Sequence, residues 1–128
     1  GRLKEIFEAI FKNMRDVYID ERLYEFLEFF DQADYPNFVT FKERMENTFD
    51  QSSNFNIKIT IRNVAVQQDT ALLRVDWIKT FEEASSDTGV NNIIRFHKVD
   101  GRWKIFDIED EKVFAVGAGT FRGNITDR

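Results

Sequence analysis

Between Asn92 and Asp110 two apolar-rich segments flank the dipeptide Asp100-Gly101. That dipeptide suits a two-residue type I′ hairpin turn, because both central residues need positive φ. The turn then fixes the expected cross-strand partners. Val99 falls opposite Arg102, Lys98 opposite Trp103, Phe96 opposite Ile105 and Ile94 opposite Asp107. One face carries Ile94, Phe96, Trp103 and Ile105. The other carries Arg95, His97, Lys104 and Phe106. The first face requires a core, and Asp107 is the one acid expected along its inner stretch.

The chain ahead of this hairpin changes period once. Leu3, Phe7, Ile10, Phe11, Met14 and Tyr18 lie at helical spacing and predict an amphipathic helix over Leu3 to Tyr18. Asp20 is the expected N-cap of a second helix, Glu21 to Phe30. Pro36 keeps Tyr35 out of helix. A third helix follows with Phe38, Phe41, Met45 and Phe49 as its stripe, capped at Thr40 or at Asn37. After Phe55 the period becomes two. Phe55, Ile57, Ile59 and Ile61 alternate with polar residues, and so do Ala71, Leu73, Val75 and Trp77 beyond a turn at Gln67 to Asp69. Glu82 to Asn91 is polar and reads as a loop. Helices first, then four strands joined by short connections, is an α+β pattern. It predicts three N-terminal helices on a strongly curved four-stranded antiparallel sheet, a cone over residues 1–116, with a Gly-rich polar tail over 117–128.

Composition excludes several function classes. The 128 residues suffice for one domain with a real core. A net charge of −5, with both signs mixed, lacks the clustered basic face that nucleic acid requires. Cysteine is absent, so no disulfide, thiol nucleophile or cysteine-ligated metal exists. One histidine and no cysteine also argue against a dedicated transition-metal site, and no cofactor is expected. No stretch is long and apolar enough to insert in a membrane. The chain opens on Gly1 with helical pattern at once, which predicts that a leader, tag or domain upstream has been removed. That leaves both cytoplasmic and exported locations open. Fourteen phenylalanines point to a thick core or an aromatic-lined cavity.

The run Val99-Asp100-Gly101-Arg102-Trp103-Lys104-Ile105 and the element order together resemble the nuclear transport factor 2-like superfamily, over roughly Leu3 to Phe114. That group includes the SnoaL-like cyclases, ketosteroid isomerase and scytalone dehydratase. The resemblance implies a curved sheet, a pocket between sheet and helices, and frequent dimerisation through the outer sheet face. It leaves function open, since the superfamily holds enzymes, ligand binders and interaction modules.

Two functions follow as expectations. The first is a non-catalytic module, a homodimer through outer-face residues Ile78, Ile93, Arg95, Phe106 and Ile108. Its pocket for a small apolar ligand would be lined by Trp77, Phe96, Trp103, Ile105, Phe11, Met14 and Tyr18. The second is an isomerase-like or SnoaL-like enzyme using Asp107, desolvated on the core face, as general acid or base on a cyclic apolar substrate. No second polar group converges with Asp107 on the core faces of the strands, which favours the first. His97 is expected on the outer face, solvated or interfacial, rather than as a catalytic base.

Overall fold

The computed structural model describes residues 1–51, 56–80 and 86–116. Three helices, α1 (Arg2–Ile19), α2 (Leu23–Leu27) and α3 (Phe38–Gln51), precede four strands. The strands are β1 (Asn56–Gln67), β2 (Thr70–Thr80), β3 (Ser86–Val99) and β4 (Arg102–Ile108), followed by a 3₁₀ turn, Glu111–Val113. The sheet is antiparallel in the order β1-β2-β3-β4. The helices cover one face of this curled sheet, as the alternation requires. The expected positions Phe55, Glu82 to Ser85 and the tail from Gly117 lie outside the described residues.

Phe7, Phe11, Met14 and Tyr18 of α1 are buried, whereas Leu3 at its start is exposed. Asp20 ends α1 rather than starting α2, because its N–H and that of Arg22 still bond back to Asp16 and Val17. Glu21 then breaks the path at φ 58°. The second helix is shorter than expected because the sheet takes its last turn. Phe29 accepts from the Ile105 N–H at 2.9 Å, and the Asp31 N–H donates to the Ile105 carbonyl at 2.7 Å. The chain around Phe30 thus pairs in parallel with the free edge of β4. An open edge must find partners, and here this segment supplies them. Asn37, at φ 53°, leads into α3, so Thr40 sits inside the first turn instead of capping it.

The Asp100-Gly101 turn has φ 53° and 80°, as a type I′ turn demands. From it the pairs Val99 with Arg102 through Phe96 with Ile105 form as expected. Then Phe106 bulges out of β4, and Arg95 pairs with Asp107 while Ile94 pairs with Ile108. One extra residue inverts the faces beyond it. Asp107 therefore lies on the outer face and Ile108 is buried, each opposite to its expected side. Strand β3 also starts earlier than expected, at Ser86. Its first residues look like loop because of what they face. Asp87 pairs with Lys79, and Gly89 lies under the Trp77 indole, where an added Cβ would sit 2.2 Å from Nε1.

The excess of aromatics becomes core. Tyr18, Phe26, Phe30, Phe41 and Phe114 pack ring against ring at one end, with Phe26 and Phe114 5.1 Å apart. At the other, Phe7 meets Phe96 at 5.0 Å and Trp103 at 5.3 Å. The C-terminal stretch is part of this core: Val113, Phe114 and Ala115 are buried. It is fastened by a paired bond in which Asn92 donates to the Asp110 carbonyl and accepts the Asp110 N–H, both at 3.1 Å.

Candidate functional site

The residues expected to line a pocket are mostly packed together. Phe96, Ile105, Trp77, Phe11, Met14 and Tyr18 are all buried, and the rings of Phe7 and Phe11 pack against Phe96. Trp103 is half-buried rather than buried, with the Lys98 ammonium over its outer side. Two concavities border this set, the first at Phe11 and Met14 and the second at Trp103. One of about 450 Å³ runs between α1 and β1, with Phe11, Met14, Ile57 and Ile59 as apolar walls and Glu8, Lys12, Arg15 and Lys58 at its rim. Another, of about 340 Å³, is bounded by Ile10, Phe29, Trp103, Glu25, Glu28, Arg102 and Lys104.

The polar side chains buried in the fold include Tyr18 and Lys79, which continues the inward alternation of Ala71, Leu73, Val75 and Trp77. The Tyr18 hydroxyl donates to the Phe114 carbonyl at 2.7 Å. Lys79 Nζ donates to the Lys112 carbonyl at 2.8 Å and the Val113 carbonyl at 3.3 Å. Burial pushes the lysine down to about 7, against the pull of Asp87 and Asp110. A lysine near neutrality can serve as base or nucleophile. Here its donors are aimed at backbone carbonyls of the C-terminal stretch, which makes it a fastener of that stretch. Burial keeps the Tyr18 hydroxyl neutral throughout the ordinary pH range. A second fastener joins α3. Tyr35 donates to Glu111 at 2.6 Å, and Arg44 pairs with the same carboxylate at 2.5 Å.

The outer sheet face carries the rest. Leu72, Ile93 and Phe106 are half-buried there, and Ile78 is 44% exposed. Two ion pairs cross it: Arg62 with Asp76 at 2.6 Å and Arg95 with Asp107 at 3.6 Å. The Asn91 N–H and Arg62 together hold the Asp76 carboxyl below its ordinary range. Of the expected interface residues, Ile78, Ile93, Arg95 and Phe106 share this face and Ile108 does not. Asp107, beside Arg95 and more than a third exposed, has lost the desolvated setting that made it a candidate acid or base.

At the β4 end of the face lies a cluster that sequence reasoning missed. His97 stacks on Phe106, ring centroids 4.3 Å apart and planes 14° from parallel. Its Nε2 meets Asp31 Oδ2 and lies 3.8 Å from Asp34 Oδ2. His97 was expected on the outer face and is there, but it is bonded rather than solvated. Asp31 and Asp34 sit in the irregular stretch before Pro36, whose position no periodicity specifies.

Compared by sequence, the chain matches no protein-family model and no curated protein. Compared by structure, it matches an NTF2-like protein of unknown function from Shewanella oneidensis with a TM-score of 0.67 and 18% identity, over 80% of this chain and 93% of that one. This is the NTF2-like fold. A protein of Novosphingobium aromaticivorans, provisionally named a scytalone dehydratase, matches with a TM-score of 0.68 and 17% identity over 84% and 83% of the two chains. Bd1075 of Bdellovibrio bacteriovorus matches with a TM-score of 0.72 and 14% identity. There the match covers 82% of this chain but 40% of the larger protein. At such identities the likeness establishes the NTF2-like fold and no activity. No helix among the described residues is long and apolar enough to cross a membrane.

Proposed function

We propose that this NTF2-like chain is a non-catalytic module that assembles as a homodimer through its outer sheet face. The observation that carries this is the composition of that face. Leu72, Ile78, Ile93 and Phe106 stand among ion pairs that are already closed within it. Apolar side chains gain from burial, while charges neutralised in place are not stranded by it. A second copy is the natural occupant, because a two-fold arrangement sets the same patch against itself.

The small apolar ligand of this proposal belongs in the groove between α1 and β1, where Phe11 and Met14 of the expected set meet Ile57 and Ile59. The proton-transfer alternative has lost its support with Asp107 on the outer face. Analytical ultracentrifugation at micromolar concentration tests the assembly. Wild-type protein should sediment as a dimer and Ile78→Glu as a folded monomer. A monomeric wild type, or a dimer indifferent to both Ile78→Glu and Ile93→Glu, refutes the proposed interface.

A further inference from the structure

We propose that Asp31, Asp34 and His97 form a binding site for a divalent first-row transition-metal ion, with zinc as the defining probe. Their ligand atoms, one from each residue, all lie within 4.8 Å of one another. In a tetrahedral zinc site with bonds near 2.0–2.1 Å, ligand atoms stand about 3.3 Å apart. Asp34 Oδ2 lies 3.8 Å from His97 Nε2 on an exposed side chain, and reaching that spacing requires the His97–Asp31 contact to open.

Three features orient the donors from outside. Asp31 Oδ1 accepts the N–H groups of Ala33 at 3.2 Å and Asp34 at 3.3 Å, an Asx-type turn that leaves Oδ2 directed at His97. The same turn brings Asp34 to the same side. Phe106, stacked flat on the imidazole, fixes the ring so that Nε2 points across β4 toward the turn. Such positioning of ligands by surrounding contacts is typical of metal sites. The β4 edge pairing places the turn, since the Asp31 N–H is bonded to Ile105.

Charge argues in the same direction. Two carboxylates converge on one imidazole, and an imidazolium would neutralise only one of them. The nearby Lys104 ammonium is directed to the Glu28 carbonyl, and Arg95 to Asp107. A divalent cation balances both carboxylates. One nitrogen and two oxygens suit zinc-like ions, and three protein ligands leave a coordination position for water or a further group. All three donors come from one chain, and Phe106, which stacks on the imidazole, also belongs to the proposed dimer face.

His97 is the single histidine, so its imidazole proton resonances need no assignment. Zinc should be titrated into the apo protein, followed by those resonances and by calorimetry. The expected result is saturation at one equivalent with displaced His97 signals. Asp34→Asn should weaken binding about tenfold or more. That side chain is 66% exposed, so the variant should fold normally. Asp20→Asn, a surface carboxylate elsewhere, should bind as wild type does. Absence of binding up to about millimolar zinc, or binding that leaves His97 unmoved, would show the pair to be an ordinary ion pair and overturn the proposal. Equal affinity in Asp34→Asn and wild type would overturn the three-donor site.

Discussion

Replacing Lys79 with methionine should change how the stability of the fold depends on pH. The side chain is 1% exposed, and burial lowers its pKa from 10.5 to about 7 in the folded state. Unfolding returns it to water and to the higher value. Between those two values the unfolded chain binds the extra proton, so stability must rise with pH there. Below pH 7 the ammonium is charged in both states and the full desolvation cost is present. As pH climbs from 7 toward 10.5 the folded lysine gives up its proton and the cost fades. Evaluated with these two values, the gain from pH 7 to pH 9 is about 2 kcal/mol. Methionine has no proton to lose, so that rise should vanish in Lys79→Met. The Lys112 and Val113 carbonyls lose a donor in the variant, a loss of about 1–3 kcal/mol that does not vary with pH. Urea denaturation at several pH values between 6 and 9, followed by tryptophan fluorescence, measures both curves. The wild-type curve should climb against the variant by about 2 kcal/mol over pH 7 to 9. Parallel curves would show that Lys79 stays protonated in the fold, and that burial does not control it.

Other substitutions test the packing. Gly89→Ala should destabilise by about 1–3 kcal/mol, because the new methyl meets a buried indole that has nowhere to go; thermal melting would show it, and an unchanged midpoint would mean the indole is not seated on Gly89. Tyr35→Phe removes the hydroxyl that joins the 3₁₀ turn to the helical layer and should cost about 1–2 kcal/mol in urea denaturation, with no change in fold by circular dichroism. Asp31 has a depressed pKa, so its contribution is present above its ordinary 3.8 and is lost as pH falls through the lower folded value. Asp31→Asn should therefore be less stable than wild type at neutral pH, and the difference should shrink in acid; a constant difference down to pH about 2 would refute the assigned pairing. Iodide should quench Trp77 weakly and Trp103 more strongly in single-tryptophan variants, given 3% exposure of the first and half-burial of the second.

Local periodicity and turn chemistry were enough to determine the architecture. The change from helical spacing to alternation after α3, and the Asp100-Gly101 turn, specify helices followed by an antiparallel sheet with a known register near the turn. Those are near-neighbour properties of the chain, and they hold at Phe96 and Ile105 as they do at Val99 and Arg102. The Phe106 bulge was not legible, because a bulge is settled by how a strand twists and packs on both sides. That single residue moved Asp107 outward and Ile108 inward, and with them the leading catalytic candidate. Lys79 was readable in principle as the next inward position after Trp77, yet the carbonyls that receive its donors come from Lys112 and Val113, far along the chain. The Asp31, Asp34 and His97 cluster depends still more on tertiary structure. An irregular segment had to dock on the edge of β4 before two aspartates could reach a histidine sixty-six and sixty-three residues away. A sequence states which faces its regular elements bury, since that follows from side-chain spacing alone. Which groups meet across those elements is decided by edge pairing, bulges and docking, whose energies belong to the assembled fold.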